Sequence, residues 1–189
     1  MIKENQAQDN KVYQLKISIK SIKPAIWREF IVPSTILLPD LHEVIQIVMG
    51  WTNSHLHQFI INGDFYSEPD EEAMMKYIDY TDIALRQVVS KEKETFVYEY
   101  DFGDGWEHTI TVEKILPDSP LKHPLCLAGK RNCPPEDCGG PFGYMDLLRI
   151  ISDPKNKEYK EMIEWLGSGF DPEYFDPDEI NQMLKEPSL

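Results

Sequence analysis

The chain has 189 residues, 41% hydrophobic and 11% aromatic, with 33 Asp and Glu against 19 Lys and Arg for a formal net charge of −14. That composition supports a packed core and excludes global disorder. It also disfavours nucleic-acid and membrane-surface partners, because the surface has the sign of a phosphate backbone and the bases Lys16, Lys20, Lys23 and Arg28 are scattered.

Residues 1–11 are polar, lack the apolar segment of a signal peptide and read as a flexible tail before one α+β domain over 12–189. Tyr13, Leu15, Ile17 and Ile19 alternate with Gln14, Lys16, Ser18 and Lys20, the period of a one-sided strand. Lys23-Pro24 interrupts it, and 26–32 reads as a second strand. Residues 40–50 predict a helix with Asp40 as N-cap, Glu43 completing a capping box, and Leu41, Val44, Ile45 and Val48 on one stripe. Gly50 ends it. A loop then leads into a strand at 57–61, and Asn62-Gly63 signals a tight hairpin returning through Phe65 and Tyr66. An acidic loop at 68–72 and mixed loop and short helix over 73–94 follow.

The stretch 96–115 is the densest aromatic and acidic run. Phe96, Tyr98, Tyr100 and Phe102 alternate with polar or smaller residues, and Gly103-Asp104-Gly105 supplies a turn. A three-residue loop pairs Phe102 with Trp106, Tyr100 with His108, Tyr98 with Ile110 and Phe96 with Val112, which puts the large apolar residues on one face. Residues 117–143 are Pro-, Gly- and Cys-rich and read as an irregular loop; 144–185 is helical, with stripes at Tyr144, Leu147, Leu148, Ile151 and at Tyr159, Met162, Ile163, Leu166. Asp153-Pro154 and Asp176-Pro177 are placed to start helices. The expected fold is α+β: a mainly antiparallel sheet of hairpins, one helix after the first two strands, and a C-terminal helical segment.

Three stretches together are similar to a known family. DLHEVIQIVMGWTNSHLHQF (40–59), YEYDFGDGWEH (98–108) and CLAGKRNCPPEDCGGPFGY (126–144) resemble the plasmid pRiA4b ORF-three-like proteins, as does the ending FDPEYFDPDEIN (170–181). The resemblance covers nearly the whole chain and implies a compact bacterial or archaeal α+β domain. Some relatives carry a transposon-resolvase label, yet the chain has neither a basic DNA-binding helix nor a recognisable recombinase motif. The family brings no catalytic residues to transfer.

Several constellations could carry chemistry. Cys126, Cys133 and Cys138, with His108 or His123, could hold zinc, although the C-x6-C-x4-C spacing lacks a close Cys pair and buried structural thiols read equally well. Three cysteines, an odd number, fit reduced thiols in a cytoplasmic protein. Asp101, Asp104, Glu107, Glu136 and Asp137, with His108, could form an oxygen-rich divalent-metal site of the hydrolase kind, or simply cap turns. His55 and His57 could ligate a metal or form a polar rim; Trp27, Trp51 and Trp106 could line a pocket or fill the core. Gly139-Gly140 ahead of a helix could meet an anion. No serine-nucleophile elbow, P-loop or dinucleotide fingerprint occurs.

The leading expectation is a domain binding a protein or small ligand in a groove between the 103–108 turn and the 133–143 loop. Its residues would be Asp101, Asp104, Trp106, His108, Glu136, Asp137, Gly139 and Gly140. The alternatives are a metal-dependent hydrolase built on the carboxylates and, third, an accessory role in DNA transposition or recombination.

Overall fold

The computed structural model describes residues 11–69, 77–117, 121–167 and 169–185. The strands are β1 (Val12–Ile19), β2 (Trp27–Pro33), β3 (His57–Ile61), β4 (Asp64–Ser67), β5 (Ile78–Asp79), β6 (Thr95–Tyr100), β7 (Trp106–Leu116) and β8 (Leu125–Lys130). The helices are α1 (Leu38–Met49), α2 (Leu85–Val88), α3 (Gly140–Ile151), α4 (Tyr159–Leu166) and α5 (Pro177–Met183). All eight strands join one sheet in the order β5-β4-β3-β6-β7-β1-β2-β8, antiparallel except where β4 meets β5.

The two-residue period makes the sheet one-sided. Tyr13, Leu15, Ile17 and Ile19 of β1, Arg28, Phe30 and Val32 of β2, Phe59 and Ile61 of β3, and Phe96, Tyr98 and Tyr100 of β6 are buried on one face. Helix α1 joins the same core through Leu41, Val44, Ile45 and Val48. Arg28 is buried because carbonyls neutralise it: its guanidinium donates to Val48 O at 2.9 Å, Trp27 O at 2.9 Å and Lys130 O at 3.1 Å. The ending is tied to the far edge of the sheet. Asn181 accepts from the Cys126 N–H at 2.7 Å and donates to the Cys126 carbonyl at 2.9 Å, pinning α5 to β8.

Asn62 and Gly63, both left-handed at φ 54° and 89°, form the expected two-residue turn, with Ile61 opposite Asp64. Helix α1 begins two residues early, at Leu38 with Leu37 as N-cap, so Asp40 and Glu43 make no capping box; Gly50 ends it at φ 85° as expected. The 96–115 hairpin differs in register. Tyr100 faces Trp106 and Tyr98 faces His108, leaving 101–105 as a five-residue turn. The offset is two residues, so the strand side chains keep their faces, whereas Phe102, expected opposite Trp106, falls in the turn and is exposed. The sequence 117–143 is not wholly irregular: β8 lies inside it and pairs with β2. Asp153 starts no helix; its carboxylate accepts the Lys155 N–H at 3.0 Å in a turn, and α4 begins at Tyr159. Asp176 does cap α5, accepting from Asp178 N and Glu179 N. The expected tail, Lys11 excepted, and parts of the 68–72 and 73–94 stretches lie outside the described residues.

Candidate functional site

Three loops meet at one end of the sheet: 51–56 before β3, 101–105 between β6 and β7, and 131–139 before α3. The 101–105 turn is built on Asp101, left-handed at φ 56°. Its Oδ1 accepts the N–H groups of Gly103 at 2.9 Å and Asp104 at 3.2 Å, and its own N–H is held by Leu56 O at 2.8 Å. Asp104 reaches the third loop, where its Oδ2 accepts the Gly139 N–H at 3.0 Å. The glycine pair does meet an anion, and that anion is the chain's own side chain. Gly140, at φ 67°, lies so close that a Cβ there would sit 2.2 Å from Asp104 O. The two segments are thus in direct contact at Gly139 and Gly140, and further carboxylates lie beside that contact.

Glu136 is anchored by Thr52 N at 2.9 Å, Thr52 Oγ1 at 3.2 Å and the Tyr100 hydroxyl at 3.1 Å, all to Oε1. The Tyr100 oxygen accepts from Ser54 N at 3.0 Å; burial first, and Glu136 next to it, push the phenol up to about 12. His55 stands edge-on to Tyr100 and turns Nε2 toward three carboxylates: Asp137 Oδ1 at 3.1 Å, Glu136 Oε2 at 3.7 Å and Asp101 Oδ2 at 3.8 Å. Asp101, Glu136 and Asp137 are thus brought together as expected, with His55 and without His108, Asp104 or Glu107.

His108 is fully buried on the core face. Its Nδ1–H donates to Tyr98 O at 3.1 Å, its ring meets Trp51 edge-on at 5.1 Å, and desolvation lowers it to about 4. Glu107 faces away and pairs with Lys20 at 2.7 Å. Trp51 and Trp106 are core, and Trp27 lies under Lys16. Cys126 lies on β8 with its backbone N–H bonded to Asn181, Cys133 in the loop that follows, and Cys138 just before α3. Burial pushes the Cys133 and Cys138 thiols up to about 12, so both are neutral in the folded chain. Among the described residues, the group of three ligand types with mutually close donor atoms is His55, Asp101 and Asp137, and it includes no cysteine.

Across the 51–56 loop lies a cavity of about 270 Å³ whose wall includes His42, Glu43, Asn53, His55, His57 and Tyr80. His42 and His57 stack face to face, centroids 3.4 Å apart and planes within 2°. Asn53 Nδ2 donates to Glu43 at 3.0 Å, so its Oδ1 accepts the Nε2–H of His42 at 2.8 Å. The His42 Nδ1 then accepts the Tyr98 O–H at 2.8 Å, while Gln46 donates to the Tyr98 oxygen at 2.9 Å. This fixes His42 as the neutral Nε2–H tautomer. His57 meets the Tyr80 hydroxyl at 2.9 Å. Desolvation lowers His42 to about 4 and, with the neighbouring His42, lowers His57 to about 3. His57 is buried, not a rim residue. His42 was detectable in the sequence only as a polar residue at a core position of α1, one turn from Leu38 and Ile45.

The fold is α+β, one mostly antiparallel eight-stranded sheet with loops bearing histidines and carboxylates at one end. Over residues 11–179 the chain matches the family described as plasmid pRiA4b ORF-3-like protein, and it belongs to that family. It is 41% identical over 158 residues to the uncharacterized protein y4hQ of Sinorhizobium fredii, covering 83% of this chain and 81% of that one. Its fold is similar to the crystal structure of MM3350, a protein of unknown function from Methanosarcina mazei Go1. There the TM-score is 0.83 at 40% identity, over 89% of this chain and 97% of that one. No helix among the described residues is long and apolar enough to cross a membrane.

Proposed function

We propose that the chain is a small-ligand-binding module whose ligand enters the 270 Å³ cavity beside His42 and His57. The observation that carries this reading is the pre-assembled polar wall. A hydrogen-bonded run from Glu43 through Asn53, His42 and Tyr98 to Gln46 fixes the polar groups of the wall before a ligand arrives, and binding concavities use a few such placed polar groups for orientation. The wall also carries Asp40, Glu43 and Glu68 and no Lys or Arg, while both stacked imidazoles are held neutral. Its field favours a cation, so the ligand class is a small amine or guanidino compound. The three free cysteines fit a reducing compartment such as the cytoplasm.

Calorimetry with diamines and guanidino compounds, against inorganic phosphate and acetate, tests the proposal. Amines are expected to bind and the anions not to. Glu43→Gln is expected to weaken amine binding at least ~10-fold, about 1.4 kcal/mol. Binding of anions alone, or amine binding untouched by Glu43→Gln, would refute the assignment. Hydrolysis would additionally require a cation that activates water.

A further inference from the structure

We infer that His55, Asp101 and Asp137, with Glu136 beside them, form a binding site for one divalent cation of the manganese, iron(II) or zinc class. The site touches the cavity through His55 but depends in no way on what the cavity binds.

One donor atom from each of His55, Asp101 and Asp137 lies within 4.8 Å of the other two, near enough for one ion to draw them together. Ligands ~2.1 Å from a metal ion stand roughly 3.0–3.5 Å from one another in octahedral or tetrahedral arrangement. The oxygens of Asp137, Glu136 and Asp101 lie 3.1, 3.7 and 3.8 Å from His55 Nε2. His55 Nε2 itself is buried, and none of the three carboxylates facing it makes a well-formed hydrogen bond to it. Asp101 adds a second sign. Its side chain is only 10% exposed; Oδ1 serves the turn while Oδ2 faces His55.

Charge points the same way. Three carboxylates surround one imidazole, and among the described residues His55 is their ion-pair partner, with no lysine or arginine. Even a protonated imidazole leaves the group two charges negative. The frame holding these groups is rigid without the cation. Asp101 and Asp137 both sit at φ 56°, and Glu136 is fixed by Thr52 and Tyr100. One imidazole with oxygen donors and no thiolate selects a borderline-hard ion over copper(I).

The test uses the full chain, stripped with chelator and dialysed, titrated with Mn²⁺ followed by electron paramagnetic resonance and with Zn²⁺ followed by calorimetry. One ion per chain is expected. Asp137→Asn, which keeps a residue type tolerant of positive φ, and His55→Ala should each weaken binding at least ~10-fold with unchanged circular dichroism in chelator. Glu136→Gln serves as a third variant should His55→Ala unfold. Cys126→Ser and Cys138→Ser should bind as the parent does. The site is refuted if neither ion binds saturably at millimolar concentration, if the His55 and Asp137 variants bind normally, or if the cysteine variants are the ones that lose the metal.

Discussion

Alanine at position 140 is expected to destabilise the protein by about 3 kcal/mol or more and to detach the start of α3 from the 101–105 turn. Two penalties combine there. Gly140 is left-handed at φ 67°, where a Cβ costs roughly 1–2 kcal/mol. That Cβ would also stand 2.2 Å from Asp104 O, a backbone atom that cannot swing aside. Gly105 separates the two effects. It has nearly the same φ, 68°, and a Cβ added there would meet nothing within 4 Å, so Gly105→Ala should show the strain alone. Urea titration of both variants measures the difference. Equal losses would mean that the Asp104–Gly140 contact gives way at little cost. The consequence reaches function, because this contact joins the segments carrying Asp101 and Asp137. Gly140→Ala should therefore also weaken Mn²⁺ binding, even in the fraction that remains folded.

The alternation in 12–19 and 96–115 and the Asn62-Gly63 turn revealed the sheet because they are local signals with a period that only one face can satisfy. What failed was everything set by distant partners. The hairpin slipped by two residues because Asp101, not Gly103, opens the turn. Its side chain takes the Gly103 and Asp104 N–H groups and its own N–H goes to Leu56, 45 residues earlier. An aspartate at positive φ looks like any strand residue in a string of letters. Strand β8 was hidden for a related reason: LCLAGK has weak alternation, and it is a strand because β2 offers it an edge. For the site, the carboxylates of 101 and 136–137 were legible as two acidic loops. His55 read as a rim residue and His42 not at all, since their roles follow from where the 51–56 loop and α1 are packed. His108 went the other way. Its neighbours Asp104 and Glu107 suggested a ligand, whereas strand parity had already placed it on the apolar face, where the structure sets it against Tyr98 and Trp51.

Lowering the pH from 7 to 5 is expected to reduce the protein's stability substantially, through His42, His57 and His108. All three are held neutral when folded, at about 4, about 3 and about 4, chiefly by burial. In the unfolded chain each returns to roughly 6.5. Between those values the unfolded state binds more protons than the folded one, so stability falls as pH falls; above about pH 7 the histidines contribute no slope. Each costs up to ~1.4 kcal/mol per pH unit, and the three together roughly 6 kcal/mol by pH 5, against typical domain stabilities of about 5–15 kcal/mol. Local chemistry reinforces the sign. A proton on His42 Nδ1 would confront the Tyr98 O–H that it now accepts, and a second charge would stack 3.4 Å away on His57. His108 Nε2 is buried with no partner to receive an N–H. Urea midpoints at pH 7, 6 and 5 test this, with His108→Gln as the discriminating variant, since glutamine can still donate to the Tyr98 carbonyl but cannot titrate. Its midpoint should fall about a third less steeply than the parent's. A parent midpoint that is flat across this range would show that the imidazoles are not held neutral, and with that one support of the amine-binding reading, the absence of positive charge on the wall, would be lost.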